Sequence, residues 1–231
     1  MKTNGGSDDQ KRRAAERAAE LVAEGDVVGL GTGSTAAYAI RAIGRAVDDG
    51  LDVRGIPTSF DSRALAREAG IPLSSLEAVD SVDLAIDGAD QIDDDLQAIK
   101  GGGAAHAREK VVDAAADRFV VVADPSKPVE TLSRPVPIEV LPDAYAAVER
   151  DLDTLRGKPT LRRAERKDGP VVTDNGNLVL DCEFGAIDDP RSLARSLSAV
   201  PGVVEHGLFV DLVDAVYIGT DDGVEVRRPS E

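Results

Sequence analysis

The 231-residue chain is 42% hydrophobic and 30% charged. It has no apolar run near the roughly 20 residues that span a bilayer, so a membrane-spanning protein and a disordered one are both excluded. A formal net charge of −16, 3% aromatic residues and no Trp argue against nucleic acid or an anionic membrane surface as partner, and the single cysteine, Cys182, leaves no internal disulfide or cysteine-based zinc site.

The elements alternate between short β-branched runs and Ala-rich amphipathic stretches, the grammar of an α/β fold. Residues 10–24 read as a helix, 26–31 as a buried strand, 34–47 as a helix, 53–56 as a strand and 61–69 as a helix. Strand 82–87, helix 104–116 and strand 118–123 follow. Four apolar strands separated by helices predict a mostly parallel sheet covered on both faces. Beyond the Pro-marked stretch 134–137 the order becomes strand 136–141, helix 143–155, strand 159–164, strand 177–182, helix 190–198 and strand 203–209. This β-α-β-β-α-β order predicts a smaller ferredoxin-like α/β domain. Residues 213–219 return as an apolar run suited to the first sheet. The expected organisation is therefore one domain from 1–133 and 210–231, with 134–209 inserted before the C-terminal strands. Arg12 and Arg13 precede a charged AAERAAE stretch where a targeting peptide needs apolar residues, which reads as cytoplasmic. Counts of 7 Lys and 20 Arg beside abundant Asp suggest a surface adapted to high salt, with an ordinary acidic surface as the alternative.

The chemistry-bearing strings sit at strand ends, where open α/β sheets place their ligand crevice. GLGTGST (29–35) follows a strand and opens a helix, so backbone N–H groups can converge on an anion, with the Thr32, Ser34 and Thr35 hydroxyls as further donors. Ala36 breaks the dinucleotide fingerprint and the P-loop G-K-[ST] is missing, which favours a small phosphate over a nucleotide. An ordinary turn in which Ser34 or Thr35 caps the helix reads equally well. DGADQIDDD (87–95) places Asp87 and Asp90 on a tight turn, able to bond hydroxyls or move protons. Asp93, Asp94 and Asp95 lack calcium-loop spacing and read as a solvated loop. IKGGGAAHAREK (99–110) sets Lys100 before Gly101, Gly102 and Gly103, supplying positive charge and close backbone approach. Glu109, about one and a half turns into the following helix, is either a general base or a surface residue paired with Arg108 and Lys110. DPSKPV (124–129) brings Lys127 to a further strand end. His106 and His206 are too few for a metal site or a catalytic triad, and Cys182 lies in an alternating strand as a core residue.

Taken in order and spacing, GTGST, DGAD, KGGG, REK and DPSK resemble the A-type ribose-5-phosphate isomerases. IPTSF (56–60), VVTDNGN (171–177), PGVV (201–204) and VYIGTDDG (216–223) extend the likeness over nearly the whole chain. The resemblance implies a Rossmann-like domain carrying a smaller α/β domain, a homodimer or homotetramer, and no cofactor or metal. It also implies interconversion of D-ribose 5-phosphate and D-ribulose 5-phosphate in the pentose phosphate network. Residue by residue, Thr32, Gly33, Ser34 and Thr35 match the substrate-binding turn, Asp87, Gly88, Ala89 and Asp90 the acidic loop, and Lys100, Gly101, Gly102 and Gly103 the lysine-glycine loop. Glu109 matches the catalytic base, Lys127 a substrate-contacting lysine and Lys11 an N-terminal one. On this reading Asp87 assists ring opening, Glu109 moves a proton between C2 and C1 through a cis-enediolate, and Lys100 stabilises the enediolate oxygen. Gln91 stands where many members carry Glu, and His106 where an apolar residue is common. Two other readings are a sugar-phosphate-sensing domain, which needs a DNA-binding domain alongside, and an amino-sugar phosphate deaminase, which relies on a catalytic histidine in a different loop.

Overall fold

The computed structural model describes residues 6–229. Helix α1 (Asp8–Ala19) begins in a capping box: the Gln10 N–H donates to the Ser7 hydroxyl, and the Gln10 side chain accepts from the Ser7 N–H. Asp8 and Asp9 in its first turn and Arg17 in its last complement the helix dipole. It stops at Ala19 rather than near residue 24, because the Leu21 and Val22 N–H groups bond back to Ala18 and Ala19 in a tight turn.

The chain continues through β1 (Val27–Leu30), α2 (Ala36–Asp48), β2 (Arg54–Pro57), α3 (Phe60–Glu68), β3 (Leu84–Gly88), β4 (Gln91–Ile92), β5 (Ala98–Ile99), α4 (His106–Ala115) and β6 (Phe119–Ala123). Then come β7 (Val136–Val140), α5 (Tyr145–Thr154), β8 (Lys158–Leu161), β9 (Leu178–Glu183), α6 (Pro190–Ser198), β10 (Val203–His206), β11 (Leu208–Phe209), β12 (Ala215–Gly219) and β13 (Val224–Arg227).

The central sheet has the order β13-β12-β6-β3-β1-β2 and is parallel except for the edge strand β13. Side chains alternate between its faces, as strand geometry requires. Val28, Leu30, Leu84, Ile86, Val120 and Val122 pack on the Ala14, Ala15 and Ala18 stripe of α1 and on Ile40 and Ile43 of α2. Ala85, Phe119, Val121, Val216 and Ile218 face the other way, onto Ile92, Ala98 and Phe209. Strand β1 has β2 on one side and β3 on the other, so the chain reverses direction across the sheet there. The loops after β1, β3 and β6 therefore open onto one crevice at the carboxyl edge.

Residues 136–206 supply a second sheet, antiparallel throughout, in the order β10-β7-β9-β8. Val136, Ile138, Val140, Leu180 and Cys182 form its core with Val148 and Leu152 of α5 and Leu197 of α6. One expectation needs correction: residues 203–209 are not a single strand. Strand β10 ends at His206, while β11 pairs with β5 in a small separate sheet with β4. The break is at Gly207, whose N–H donates to the Pro137 carbonyl and whose carbonyl accepts from the Lys100 N–H at 2.8 Å. A Cβ there would stand 2.2 Å from the Lys100 carbonyl oxygen, so only glycine lets the two backbones meet. Residues 93–95, read as a solvated loop, form the turn between β4 and β5, where Asp93 Oδ1 accepts from the Asp95 and Gln97 N–H groups.

Candidate active site

A cavity of about 260 Å³ opens at the carboxyl edge of the central sheet. The turn after β1 brings Thr32, Gly33, Ser34 and Thr35 to it, and the end of β3 brings Gly88, Ala89 and Asp90. Lys100, Gly101, Gly102, Gly103 and Glu109 close one side, while Lys11, Lys127, Asp61 and Asp124 complete the wall. Every sequence-predicted site residue except Asp87 thus lines one cavity.

Thr35 occupies the N-cap position of α2 but makes no capping bond with its side chain. Neither Ser34 nor Thr35 gives the helix a side-chain capping bond, and both residues line the cavity at the α2 N-terminus. Thr32 Oγ1 lies 2.8 Å from both Thr58 Oγ1 and Ser59 Oγ, which fixes the turn onto the start of α3. Burial pushes the Lys127 ammonium below its usual value, partly offset by Asp124 and Asp90.

Asp87 lies beneath the cavity rather than in its wall, fully shielded from water. Its Oδ1 accepts from the Thr32 N–H at 2.9 Å and the Gly88 N–H at 2.6 Å, tying the ends of β1 and β3 together. Gly31 makes this possible, since a Cβ there would stand 2.3 Å from the Asp87 carboxyl carbon. Asp87 Oδ2 meets Lys100 Nζ at 2.8 Å.

Lys100 is the hub of the site. Its ammonium donates to the Gly88 carbonyl at 2.6 Å and stands 3.3 Å from Glu109 Oε2, 4.0 Å from Asp113 Oδ2 and 5.1 Å from the centre of the Phe209 ring. Burial alone would lower its pKa, but Asp87, Glu109 and Asp113 outweigh that and hold it above its ordinary value. Glu109 belongs to the first turn of α4, which starts at His106, and so sits nearer the glycine loop than the sequence suggested. The helix period turns its neighbours away from it: Arg108 faces Asp174, and Lys110 pairs with Glu205 at 2.7 Å. Glu109 is therefore a buried group of the cavity and not a surface ion-pair partner. Burial, opposed by Lys100 and reinforced by Asp87, raises its carboxyl from the ordinary 4.5 to about 8. Asp113, one helical turn further on the same face, is also buried and held well above the usual carboxylate range by burial and by its acidic neighbours.

Asp61, Asp113 and Asp124 are site residues the sequence did not single out. Asp124 follows strand β6 directly, a position that could have flagged it; in so acidic a chain nothing marked Asp61 or Asp113. Both histidines are structural. His106 packs behind Gly101, and His206 Nε2 lies 3.1 Å from Ser198 Oγ. Gln91 accepts from the Ser133 and Arg134 N–H groups through its amide oxygen, a task that needs no carboxylate. Cys182 is buried in the second core, with its thiol pushed up to about 12 by burial. Among the described residues, no group of three or more His, Cys, Asp or Glu could hold a metal ion.

A hydroxyl-rich turn at a helix N-terminus, an ammonium fixed among carboxylates and a buried glutamate in one crevice define an α/β enzyme of the proton-transfer class acting on a small anion. The family described as ribose 5-phosphate isomerase A (phosphoriboisomerase A) matches residues 54–223. Ribose-5-phosphate isomerase A of Haloarcula marismortui is 66% identical over 98% of this chain and 99% of its own. The structure of ribose 5-phosphate isomerase A from Methanocaldococcus jannaschii superposes with a TM-score of 0.93 at 46% identity, covering 96% of this chain and 100% of that one. A D-ribose-5-phosphate isomerase solved in complex with phospho-erythronic acid gives 0.94 at 43% identity, covering 96% and 99%. The chain belongs to the ribose 5-phosphate isomerase A family and is an isomerase.

Proposed function

We propose that this cavity interconverts D-ribose 5-phosphate and D-ribulose 5-phosphate, a step of the non-oxidative pentose phosphate pathway, and that Glu109 is the base. The observation that carries the reading is the pairing of Glu109 with Lys100 at 3.3 Å in a cavity that the 32–35 turn also lines. The phosphate anchors on Thr32, Gly33, Ser34 and Thr35 at the α2 N-terminus, with Lys127 and Lys11 supplying charge that a chain of net charge −16 must concentrate locally. C1 and C2 then fall towards Glu109, which takes the proton from C2 and returns it to C1, while the O2 proton passes to O1, so that the aldehyde becomes a hydroxyl and the C2 hydroxyl a ketone. Lys100 and the glycine-loop N–H groups meet the negative charge that develops on the enediolate oxygen. Phospho-erythronic acid, bound by a relative, carries a carboxylate next to its carbon chain and so imitates that charge distribution.

Ring opening needs a group that exchanges a proton between the ring oxygen and O1. Asp90 lines the cavity and is better placed for this than Asp87, which grips Lys100 from below. The reading includes a cytoplasmic homodimer or homotetramer, organised as a Rossmann-like unit (1–133 with 210–231) and an inserted ferredoxin-like unit (134–209). No helix among the described residues is long and apolar enough to cross a membrane. A coupled assay with ribose 5-phosphate before and after exhaustive chelation tests the function. Turnover that survives EDTA is expected, because Lys100 and the loop amides supply the positive charge. No turnover, or turnover that only a divalent ion restores, contradicts the reading.

A further inference from the structure

The second sheet reaches into the site through one side chain. Arg162 follows β8, and its side chain is 10% exposed. Its Nε donates to Asp181 Oδ2 at 2.8 Å and its Nη2 to Asp181 Oδ1, a fork seated on β9. The remaining nitrogen, Nη1, donates to the Gly101 carbonyl at 2.9 Å and the Gly102 carbonyl at 3.3 Å. Asp181 thus fixes the guanidinium plane, and the guanidinium fixes two successive peptide groups of the lysine-glycine loop.

A trans peptide points its N–H opposite to its carbonyl. The first of these peptides shows the consequence directly: with the Gly101 carbonyl held by Arg162, the Gly102 N–H points to Asp90 Oδ2 at 2.7 Å, on the cavity wall. By the same geometry, holding the Gly102 carbonyl aims the Gly103 N–H away from Arg162 and towards the cavity that Gly103 lines. Free rotation of this Gly-Gly-Gly segment would otherwise allow a carbonyl oxygen to face the developing enediolate, where it would repel the charge. Adjacent anchors hold the rest of the loop: the Ala104 N–H bonds to the Gly101 carbonyl at 3.0 Å and the Lys100 N–H to Gly207.

We propose that Arg162 is a positioning residue for the isomerisation, orienting the Gly101–Gly102 and Gly102–Gly103 peptides so that the Gly102 N–H holds Asp90 at the cavity wall and the Gly103 N–H faces the reacting oxygens, with Asp181 orienting Arg162. This rests on the isomerase reading of the cavity. Arg162 is not among the residues that line the cavity, so its loss acts on kcat more than on KM.

The test compares wild type with Arg162→Ala, Arg162→Lys and Asp181→Asn. Kinetics with ribose 5-phosphate are combined with amide hydrogen exchange of residues 100–104 on the full-length protein. Removing one fixed oxyanion donor costs about 10² to 10³ in kcat. Loosening it should cost at least about 10-fold in Arg162→Ala, with KM within about 3-fold. Arg162→Lys and Asp181→Asn should fall between wild type and Arg162→Ala, loop exchange should accelerate in the same order, and added guanidinium should restore part of the lost kcat in Arg162→Ala. If Arg162→Ala does not fold, Arg162→Lys and Asp181→Asn decide. Folded variants with wild-type kcat, or with unchanged loop exchange, overturn the proposal. An inactive wild type overturns the isomerase reading instead, and the exchange data then still judge whether Arg162 orders the loop.

Discussion

Lys100 Nζ and Asp87 Oδ2 lie 2.8 Å apart, with the lysine side chain 2% exposed and the aspartate fully buried. A buried ion pair is costly to assemble and costlier to break, because the survivor is left charged and unpaired. With its pKa raised, Lys100 stays an ammonium throughout the working range and serves as a fixed cation, not as a base. Lys127, by contrast, lines the cavity and in the proposed reading meets the phosphate. Lys100→Ala should mainly lower kcat and Lys127→Ala should mainly raise KM, measured with saturating and limiting ribose 5-phosphate. Effects confined to KM in both variants would remove Lys100 from the transition state.

The raised carboxyl of Glu109 has two consequences of opposite sign. As a base it must be ionised, so kcat/KM of the free enzyme should climb with pH and level off above about 8. As a buried group that holds its proton more tightly when folded, it stabilises the fold less as pH rises from its ordinary 4.5 to about 8. Thermal melting between pH 5 and 9 should therefore show wild type losing ground to Glu109→Gln as pH increases. A difference in melting temperature independent of pH would place the Glu109 carboxyl in its usual range.

Asp87 and Asp90 separate by which step fails. Only the aldose has a furanose to open, so a ring-opening residue matters for turnover of ribose 5-phosphate and not for proton exchange at C1 of the open-chain ketose. Asp90→Asn should lower turnover of ribose 5-phosphate more than C1 exchange of ribulose 5-phosphate, whereas Asp87→Asn should lower both alike and lower thermal stability, because it loosens Lys100. The reverse pattern would return ring opening to Asp87.

The charge of −16 should make both folding and activity improve with salt. Self-repulsion over a Debye length of about 10 Å at 0.1 M shrinks to about 3 Å at 1 M. Melting temperature followed against KCl should rise across that range, and a flat or falling midpoint would mark the surface as an ordinary acidic one.

Much of the site was legible because chemistry concentrates at strand ends. Thr32–Thr35, Asp90 and Lys127 each follow a strand whose apolar run is plain, and a parallel sheet sends those ends to one edge; Lys100 was marked instead by the three glycines that follow it. Asp113 and Arg162 were not legible. An inward-facing aspartate on α4 looks like any other in an acidic chain, and Arg162 reaches Gly101 from the second sheet, a relationship only the packing of β8 creates. The fold shows the same division. The long strands and the β-α-β-β-α-β order could be read from periodicity, whereas β4, β5 and β11 are two-residue strands with no period to read. The break at Gly207 depends on a close approach to Lys100 that sequence does not display.

The central claim is that Glu109 itself carries the proton between C2 and C1. Glu109→Gln keeps length and shape but removes the acceptor, so kcat should fall by about 10² to 10⁴, with little change in affinity for a non-reacting analogue such as arabinose 5-phosphate. The most direct measurement is deuterium uptake at C1 of ribulose 5-phosphate from heavy water, followed by NMR in wild type, Glu109→Gln and Asp87→Asn. Uptake should be rapid in wild type, nearly abolished in Glu109→Gln and only reduced in Asp87→Asn. Exchange at close to the wild-type rate in Glu109→Gln, with none in Asp87→Asn, would contradict the assignment and make Asp87 the base.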